Sequence, residues 1–275
     1  MFFLLYKTWG LSSNQCIQAF KKAHQIKKIG HTGTLDPLAT GLLLVATDDE
    51  TKLIPYLKNT DKAYFVELKL GQISATYDAQ GPLTFVNDFE PDWNTVQATV
   101  TTMLGTIEQI PPVFSAKKIG GQRAYHLARK QENVKLTKQL VEIKTIKNLT
   151  YEYPLISFEV WVSSGTYIRS LVHDLGLKLE TGAYVTKLER IMISGFGLND
   201  LQNSNLKPEL NLTNKPIDLQ QLKLLYYGQK SHFANWIDGH YALTYKEEFI
   251  GIVEVQNHLV IKQKLFGKKI IAILE

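Results

Sequence analysis

The sequence predicts an α+β protein built on a mixed, largely antiparallel sheet, with a basic insertion and a small β module at its C-terminal end. Short apolar runs that alternate or stay continuous are typical of strands, and apolar residues at helical spacing lie between them. The length of 275 residues is long for one compact domain. We therefore expect a large domain over residues 1–215, with the insertion at about 115–150, and a small module over residues 216–275.

The N-terminal quarter of the chain predicts one helix and two strands. A helix capped by Ser12 is expected to run to about Lys28, with lysines on its exposed face. Residues 29–41 are rich in glycine and threonine and fit no regular element. The continuous apolar run at 42–46 indicates a strand buried on both faces. Residues 64–70 alternate, which indicates a strand with one buried face.

The remaining elements follow from the same patterns. A helix is predicted after Pro91, and Gly105 is expected to follow its end. Its core face should consist of Val96, Val100, Met103 and Leu104. A strand around residues 158–162 leads into a helix that buries apolar residues between 168 and 175. Polar residues 200–220 are typical of a linker, and residues 242–275 of a small β module.

Positive charge is concentrated in two segments. The chain has 31 basic and 26 acidic residues, a net charge of +5. Residues 1–30 contain five lysines and no acid, and residues 115–150 contain nine basic residues against two acidic ones. Localised positive charge on an otherwise acidic protein indicates a polyphosphate partner, although solvated surface faces would give the same pattern.

Composition also excludes several classes of protein. No apolar run approaches the ~20 residues that a membrane-spanning helix needs. The apolar start at residues 1–6 is too short for the core of a signal peptide. The only cysteine is Cys16, so neither an intramolecular disulfide nor a cluster of thiolates around zinc is possible. We expect a cytoplasmic protein without membrane attachment.

The segment at residues 30–41 reads GHTGTLDPLATG and presents one carboxylate, Asp36. Pro37 biases Asp36 away from helical geometry, and the buried strand at 42–46 would support the loop. An Asp-Pro pair alone is more typical of a helix N-terminus. The whole segment, however, resembles the catalytic loop of the TruB-type tRNA pseudouridine synthases, in which the aspartate of this motif is essential.

Further motifs of the same family are spread over most of the chain. They lie at residues 7–13, 61–64, 70–81, 110–118, 164–171 and 188–190. Two positions depart from the family pattern: Thr8 replaces a proline, and Ala75 replaces a residue that is commonly acidic. Residues 248–252 resemble, more weakly, the PUA-type RNA-binding module that the family has in this position.

The resemblance implies that the chain isomerises uridine 55 in the T loop of tRNA, with no metal or cofactor. It also implies a monomer that needs no protein partner and binds the tRNA T-arm. The reaction breaks the bond from ribose C1′ to uracil N1, turns the base and rebonds it through C5. A buried anion would stabilise the positive charge that develops on the sugar. Asp36 could attack covalently or remove the C2′ proton, and the sequence leaves both routes open.

On the same basis we expect Asp36 to be catalytic and six residues to bind substrate: Lys7, His31, Tyr64, Tyr167, Arg169 and Leu188. Arg169 would keep Asp36 ionised through a charge-assisted pair. Tyr64 would stack on the uracil, and Tyr167 and Leu188 would line its pocket. His31 lacks a second ligand at metal-binding spacing, and it would fill the space that the flipped base vacates. Taken singly, each of these residues has an ordinary structural explanation.

Three other functions remain to be weighed. An RNA-binding module without catalysis would not need the combination of Asp36, Tyr64 and Arg169, because a carboxylate opposes binding of a polyanion. An enzyme of the same family that uses a guide RNA and protein partners is less consistent with the short C-terminal module and the lack of basic tails. A phosphate-binding enzyme would require the glycine-lysine-serine/threonine signature, which is absent from the loop.

Overall fold

The structure, a computed structural model, describes residues 1–115, 136–204, 206–229, 231–233 and 235–275, and the backbone of residues 118–119 and 122–123. The chain forms two compact units. The first contains Met1–Asp48 and Asn59–Pro208, and the second contains Asp49–Lys58 and Glu209–Glu275. Within these described ranges, no helix is long and apolar enough to cross a membrane.

In its described residues, the first unit contains thirteen strands and three α-helices. Its strands are β1 (Phe2–Lys7), β2 (Ile29–His31), β3 (Thr40–Thr47), β4 (Lys62–Leu70), β5 (Gln72–Ser74), β6 (Leu83–Phe85), β7 (Gly105–Gln109), β8 (Lys118–Ile119), β9 (Gln122–Arg123), β10 (Gln139–Glu152), β11 (Leu155–Val162), β12 (Ala183–Ile193) and β13 (Phe196–Gly197). Its helices are α1 (Ser13–Ala23), α2 (Trp93–Thr101) and α3 (Ile168–Lys178), with a 3₁₀ helix at Leu198–Gln202. Another 3₁₀ helix, Asp48–Tyr56, spans a junction between the units.

One sheet organises the first unit. Its strands follow the order β1-β3-β12-β4-β11-β10-β7, while β2 pairs with β3 and β13 with β12. Every neighbouring pair is antiparallel except β3 and β12, which run parallel. The prediction of an α+β protein with a mixed, largely antiparallel sheet is confirmed. The helices α1, α2 and α3 contribute buried apolar side chains to the core that includes the sheet.

The strands with a clear apolar pattern are confirmed. Residues 42–46, within β3, are completely buried, as expected for a strand covered on both faces. In β4 the alternate residues Tyr64, Val66, Leu68 and Leu70 are buried. The helix α3 likewise buries the predicted residues Ile168, Leu171, Val172 and Leu175. Apolar period alone therefore identifies the elements at the centre of the unit.

Two predictions at helix ends are wrong. The helix α1, capped by Ser12, ends at Ala23 rather than near Lys28, because Gln25 adopts a φ of 52° and the chain then enters β2. Residues 29–41 are consequently not wholly irregular. Leu104 is 43% exposed instead of buried, since α2 ends three residues before it, at Thr101.

The insertion is shorter than the predicted 115–150. Residues Gln139–Glu152 form β10, which pairs with β7 on one side and β11 on the other. The insertion therefore ends before Gln139, and the last part of the predicted range, which includes Lys144 and Lys147, belongs to the main sheet. Residues 116–117, 120–121 and 124–135, which hold much of the predicted positive charge, lie outside the described residues.

Within its described residues, the second unit has a four-stranded sheet and two α-helices. Its elements are β14 (Thr213–Pro216), α4 (Leu219–Tyr226), β15 (Gly239–Tyr245), β16 (Glu248–Gln256), β17 (Leu259–Leu265) and α5 (Gly267–Leu274). The strand β14 pairs parallel to β15, so residues 200–220 are not simply a linker and the unit begins before residue 216. The expected β module also ends in a helix, α5, whose Ile270 is fully buried.

Candidate active site

Asp36 lies in the loop between β2 and β3, and hydrogen bonds hold this loop on both sides of the aspartate. Before it, the amide of Leu35 donates to the Ser13 hydroxyl at 2.8 Å. After it, the amide of Gly10 donates to the carbonyl of Pro37 at 2.9 Å. The backbone on either side is thus fixed, while the Asp36 side chain remains 34% exposed.

Lys7 lies beneath this loop and is fully buried. Its Nζ donates to the carbonyl oxygens of Leu11 at 2.7 Å, Thr8 at 3.1 Å and Pro37 at 3.3 Å. Burial lowers the pKa of Lys7, and the negative charge of Asp36 opposes that shift. The ammonium thus binds the backbone around the loop, and the predicted contact of Lys7 with substrate stays a prediction.

Arg169 holds the Asp36 carboxylate with two hydrogen bonds. Its Nε donates to Oδ2 and its Nη2 to Oδ1, both at 2.8 Å. The guanidinium also donates to the carbonyls of Thr76 and Phe114 at 2.9 Å and lies 3.5 Å from Oδ2 of Asp78. Arg169 is only 4% exposed, and its position in the first turn of α3 fixes its backbone. The predicted pairing of Arg169 with Asp36 is confirmed, as a charge-assisted pair with two hydrogen bonds.

The carboxylate of Asp36 lines a cavity of about 350 Å³. The loop residues 32–36 form one part of the wall, and residues 164–169, at the start of α3, form another. Two side chains from β4 and two from β12 complete it: Lys62, Tyr64, Leu188 and Arg190. A volume of this size is at the lower end of the range for small-molecule sites.

Tyr64 and Leu188 reach the cavity because of the register between β4 and β12. Tyr64 lies opposite Arg190, and Leu188 precedes Arg190 by two residues. Side chains two apart on a strand share one face, so all three point to the same side of the sheet. Tyr64 and Leu188 are each 6% exposed.

Tyr167 is held through its backbone at the N-cap of α3. Its amide donates to Oε1 of Gln109 at 2.8 Å, and its carbonyl accepts from Nε2 of the same glutamine at 3.0 Å. Burial raises the pKa of the Tyr167 phenol, and the nearby charge of Asp36 raises it further. The phenol therefore stays protonated at neutral pH and can donate a hydrogen bond into the cavity.

His31 does not line the cavity. It is the last residue of β2, pairs with Val45 of β3, and directly precedes Thr32, the first loop residue of the cavity wall. In the described part of the chain, no group of three or more His, Cys, Asp or Glu side chains is arranged to hold a metal ion. Of the predicted site residues, the structure thus brings five to the cavity and leaves Lys7 and His31 outside its wall.

Two cavity residues, Lys62 and Arg190, were missed by the sequence analysis. Burial lowers the pKa of Lys62 to about 8, with Arg190 acting in the same direction and Asp61 against it. Arg190 is fully buried, and its Nε donates to the carbonyl of Leu42 at 2.6 Å. Each lies two residues from a predicted site residue, Tyr64 or Leu188, so strand alternation at these positions could have placed both on the cavity side.

Comparisons with known proteins agree on one family. The model described as TruB family pseudouridylate synthase (N terminal domain) matches residues 21–168. The tRNA pseudouridine synthase B of Mycoplasmopsis pulmonis is 40% identical to this chain, over 98% of the chain and 96% of its own length. That of Mycoplasma mobile is 42% identical, over 100% of the chain and 97% of its own length.

A solved structure supports the fold. The chain resembles one described as "Crystal Structure of a Cbf5-Nop10-Gar1 Complex", with a TM-score of 0.65 over 98% of this chain and 86% of that chain. The sequence identity is 20%, so this likeness concerns the fold alone.

Proposed function

Because the chain belongs to the TruB family of pseudouridylate synthases, we propose that it converts uridine 55 in the T loop of tRNA to pseudouridine, with Asp36 as the catalytic carboxylate. One observation carries this proposal. Two hydrogen bonds join Arg169 to Asp36 on the wall of a cavity that Tyr64, Tyr167 and Leu188 also line. A carboxylate fixed in position beside aromatic and apolar side chains suits chemistry on a single flipped nucleotide.

The chemistry requires a fixed negative charge next to the ribose. As the C1′–N1 bond breaks, positive charge develops on the sugar, and the Asp36 carboxylate stabilises it. Arg169 orients this carboxylate, since both oxygens accept a hydrogen bond from one guanidinium. Covalent attack by Asp36 and removal of the C2′ proton both begin from this arrangement. Neither route calls for a metal or an organic cofactor.

The remaining residues have roles in holding and replacing the base. Tyr64 stacks on the uracil, and Tyr167 and Leu188 enclose it while the freed base turns. His31 borders the loop and occupies the space that the base leaves in the RNA stack, which offsets part of the few kcal/mol that flipping costs. Lys7 positions Asp36 by binding the carbonyl of Pro37.

We assign the reaction to the first unit and an RNA-binding, PUA-like role to the second. The enzyme acts as a cytoplasmic monomer without an obligatory protein partner, and it recognises the T-arm of tRNA. The charge of +5 and the basic segments support binding of a polyphosphate.

Incubation of the purified chain with an unmodified tRNA transcript tests the proposal. Chemical mapping should detect pseudouridine at position 55, in the absence of added metal or cofactor. Pseudouridine only at another position would overturn the assignment of the target, and its absence from all positions would overturn the proposed function.

A further inference from the structure

Two cations on the cavity wall have no carboxylate partner. In the part of the chain that the structure describes, neither Lys62 nor Arg190 forms an ion pair, because nearby acids are already engaged. Asp61 binds Lys144 at 2.6 Å, and the Asp36 carboxylate binds Arg169. Cations in a partly desolvated site are costly unless an anion or a hydrogen-bond acceptor compensates them.

The hydrogen bonds of the two side chains leave donors available on the cavity side. Arg190 is fully buried and uses Nε and Nη2 to bind loop and strand carbonyls, but its Nη1 has no hydrogen-bond partner within the described residues. Lys62 donates to the carbonyl of Thr60 at 2.7 Å and lies 3.5 Å from the hydroxyl of Ser164. Two of the three ammonium protons of Lys62 are thus unused or weakly used.

The free donors flank one gap. A methyl group added at Gly33 would lie 3.4 Å from Cε of Lys62 and 3.6 Å from Nη1 of Arg190. Because glycine has no side chain, the space between the two cations stays open. Gly33, Lys62 and Arg190 all line the cavity that contains Asp36.

We propose that Lys62 and Arg190 form a subsite for a backbone phosphate of the RNA, on one side of the flipped uridine. This inference rests on the proposed function, which supplies an RNA strand to the cavity. A phosphodiester carries the single negative charge and the acceptor oxygens that the two cations lack, and Lys and Arg are both common phosphate ligands. The phosphate is linked to the reacting ribose, so holding it would also fix the sugar against Asp36.

Phosphate-neutralised RNA tests the subsite directly. A T-arm hairpin is made with one neutral methylphosphonate, placed either 5′ or 3′ of the target uridine or at a distant stem position, and kcat/KM is measured for each. For the wild-type chain, one of the two flanking substitutions should lower kcat/KM about tenfold relative to the stem substitution, the size expected for a charge-assisted hydrogen bond.

Variants identify the protein side of the contact. Lys62→Met should lower kcat/KM about tenfold on intact RNA. In this variant, the methylphosphonate at the sensitive position should lower kcat/KM by less than a further factor of about two, because both changes remove the same interaction. Lys187→Met, which removes an exposed lysine of β12 outside the cavity, is the control and should retain the full penalty. Arg190 is left unchanged, since its other donors hold Leu42 and Gly33.

Gly33→Ala supplies a steric test that removes no charge. The added methyl group would enter the gap and should reproduce the reduced sensitivity to methylphosphonate, with a melting temperature close to that of the wild-type chain. If Gly33→Ala fails to fold, the methylphosphonate penalty in Lys62→Met still tests the subsite, because that measurement does not depend on the alanine variant.

Several outcomes would overturn the subsite. Equal rates on all methylphosphonate hairpins would show that no flanking phosphate is bound, and inhibition by inorganic phosphate alongside such equal rates would indicate a site for free phosphate instead. If the methylphosphonate keeps its full penalty in Lys62→Met, so that the two penalties multiply, the phosphate is bound elsewhere. If the wild-type chain forms no pseudouridine on an intact tRNA transcript either, the proposed function fails, and the subsite fails with it.

Discussion

At Asp36, each carboxylate oxygen accepts a hydrogen bond of 2.8 Å from the same guanidinium. The carboxylate is the part of Asp36 that faces the cavity, and Arg169 sets the position of its charge. Arg169 is itself fixed by the carbonyls of Thr76 and Phe114 and by the nearby Asp78. The charge that we propose as catalytic therefore depends on a group of buried partners as well as on one side chain.

Asp36→Asn keeps the shape of the side chain and removes its charge. We expect turnover on tRNA to fall at least ~10³-fold, since loss of a single electrostatic stabiliser costs ~10²–10³ even where no covalent role is lost. RNA affinity should change less than about threefold. Single-turnover rates and binding isotherms measure both quantities.

Asp92→Asn is the matched control for this substitution. Asp92 caps α2 outside the cavity, and asparagine caps helices about as well as aspartate. Its turnover should equal that of the wild-type chain. An Asp36→Asn enzyme that kept a tenth of wild-type turnover would refute the catalytic assignment.

Lys62 predicts a pH dependence of RNA binding. Its pKa is lowered to about 8, chiefly by burial and further by the charge of Arg190, while Asp61 acts in the opposite direction. Lys62 is therefore mostly charged below pH 8 in the free protein. An RNA phosphate would favour the charged form and raise this pKa, so binding above pH 8 requires uptake of a proton.

Affinity should consequently decrease as the pH rises from 8 to 9, by up to about tenfold per pH unit. The inactive Asp36→Asn chain and a T-arm hairpin allow this measurement without turnover. The same series in an Asp36→Asn, Lys62→Met chain should be flatter. Identical slopes in the two proteins would assign the pH dependence to another group.

Among the secondary-structure elements, β3 and β12 approach each other where the loop of Asp36 enters the sheet. Gly41 of β3 pairs with Arg190 of β12 and has a φ of 104°. A Cβ atom there would lie within 3.0 Å of three Arg190 backbone atoms. The close parallel pairing that brings Asp36 and Arg190 to one cavity thus depends on the absence of a side chain.

Gly41→Ala should destabilise the chain more than Gly10→Ala does. Both glycines have positive φ, but nothing lies within 4 Å of a Cβ placed on Gly10. The unfavourable backbone conformation alone costs about 1–2 kcal/mol, and only Gly41→Ala adds a steric clash with another strand. Urea unfolding of the two variants measures the difference in the free energy of unfolding. Equal losses of stability would show that β3 and β12 move apart without cost.

The apolar pattern predicted long elements well and short or charged ones poorly. The strands β3 and β4 have enough residues to show a period, whereas β2 and β14 have three and four residues. In β10 the buried Val141 and Ile143 alternate with charged residues, but the lysines in and around this strand led us to predict an insertion. Pairing with β7 and β11 overrides that local charge.

On the scale of the whole molecule, the cavity combines residues from distant parts of the chain. Periodicity and charge alone predicted a basic, RNA-binding protein, and the resemblance supplied Asp36, Tyr64, Tyr167, Arg169 and Leu188. Lys62 and Arg190 were not predicted, because a charged residue on a strand is usually solvated. The register of β4 with β12 then brings these two cations to one cavity.

Substrate recognition should require a folded T-arm and not a whole tRNA. A cavity that holds one uracil gives too little information to select one uridine, so the shape of the RNA loop must supply the remainder. A hairpin with the T stem and loop should be modified within about tenfold of the rate for tRNA, which corresponds to about 1.4 kcal/mol. The same nucleotides in an unstructured strand should react far more slowly, and equal rates would indicate that local sequence is read.

The uncompensated cations also bear on how this protein would respond to selection for heat resistance. The lowered pKa of Lys62 means that the fold disfavours its charge at neutral pH, so a neutral side chain of similar length should raise stability. Random mutagenesis screened for thermal tolerance alone would therefore enrich neutral replacements of Lys62. These proteins would tolerate more heat than their parent and modify RNA more slowly, a trade-off that is common where binding sites retain strained charges.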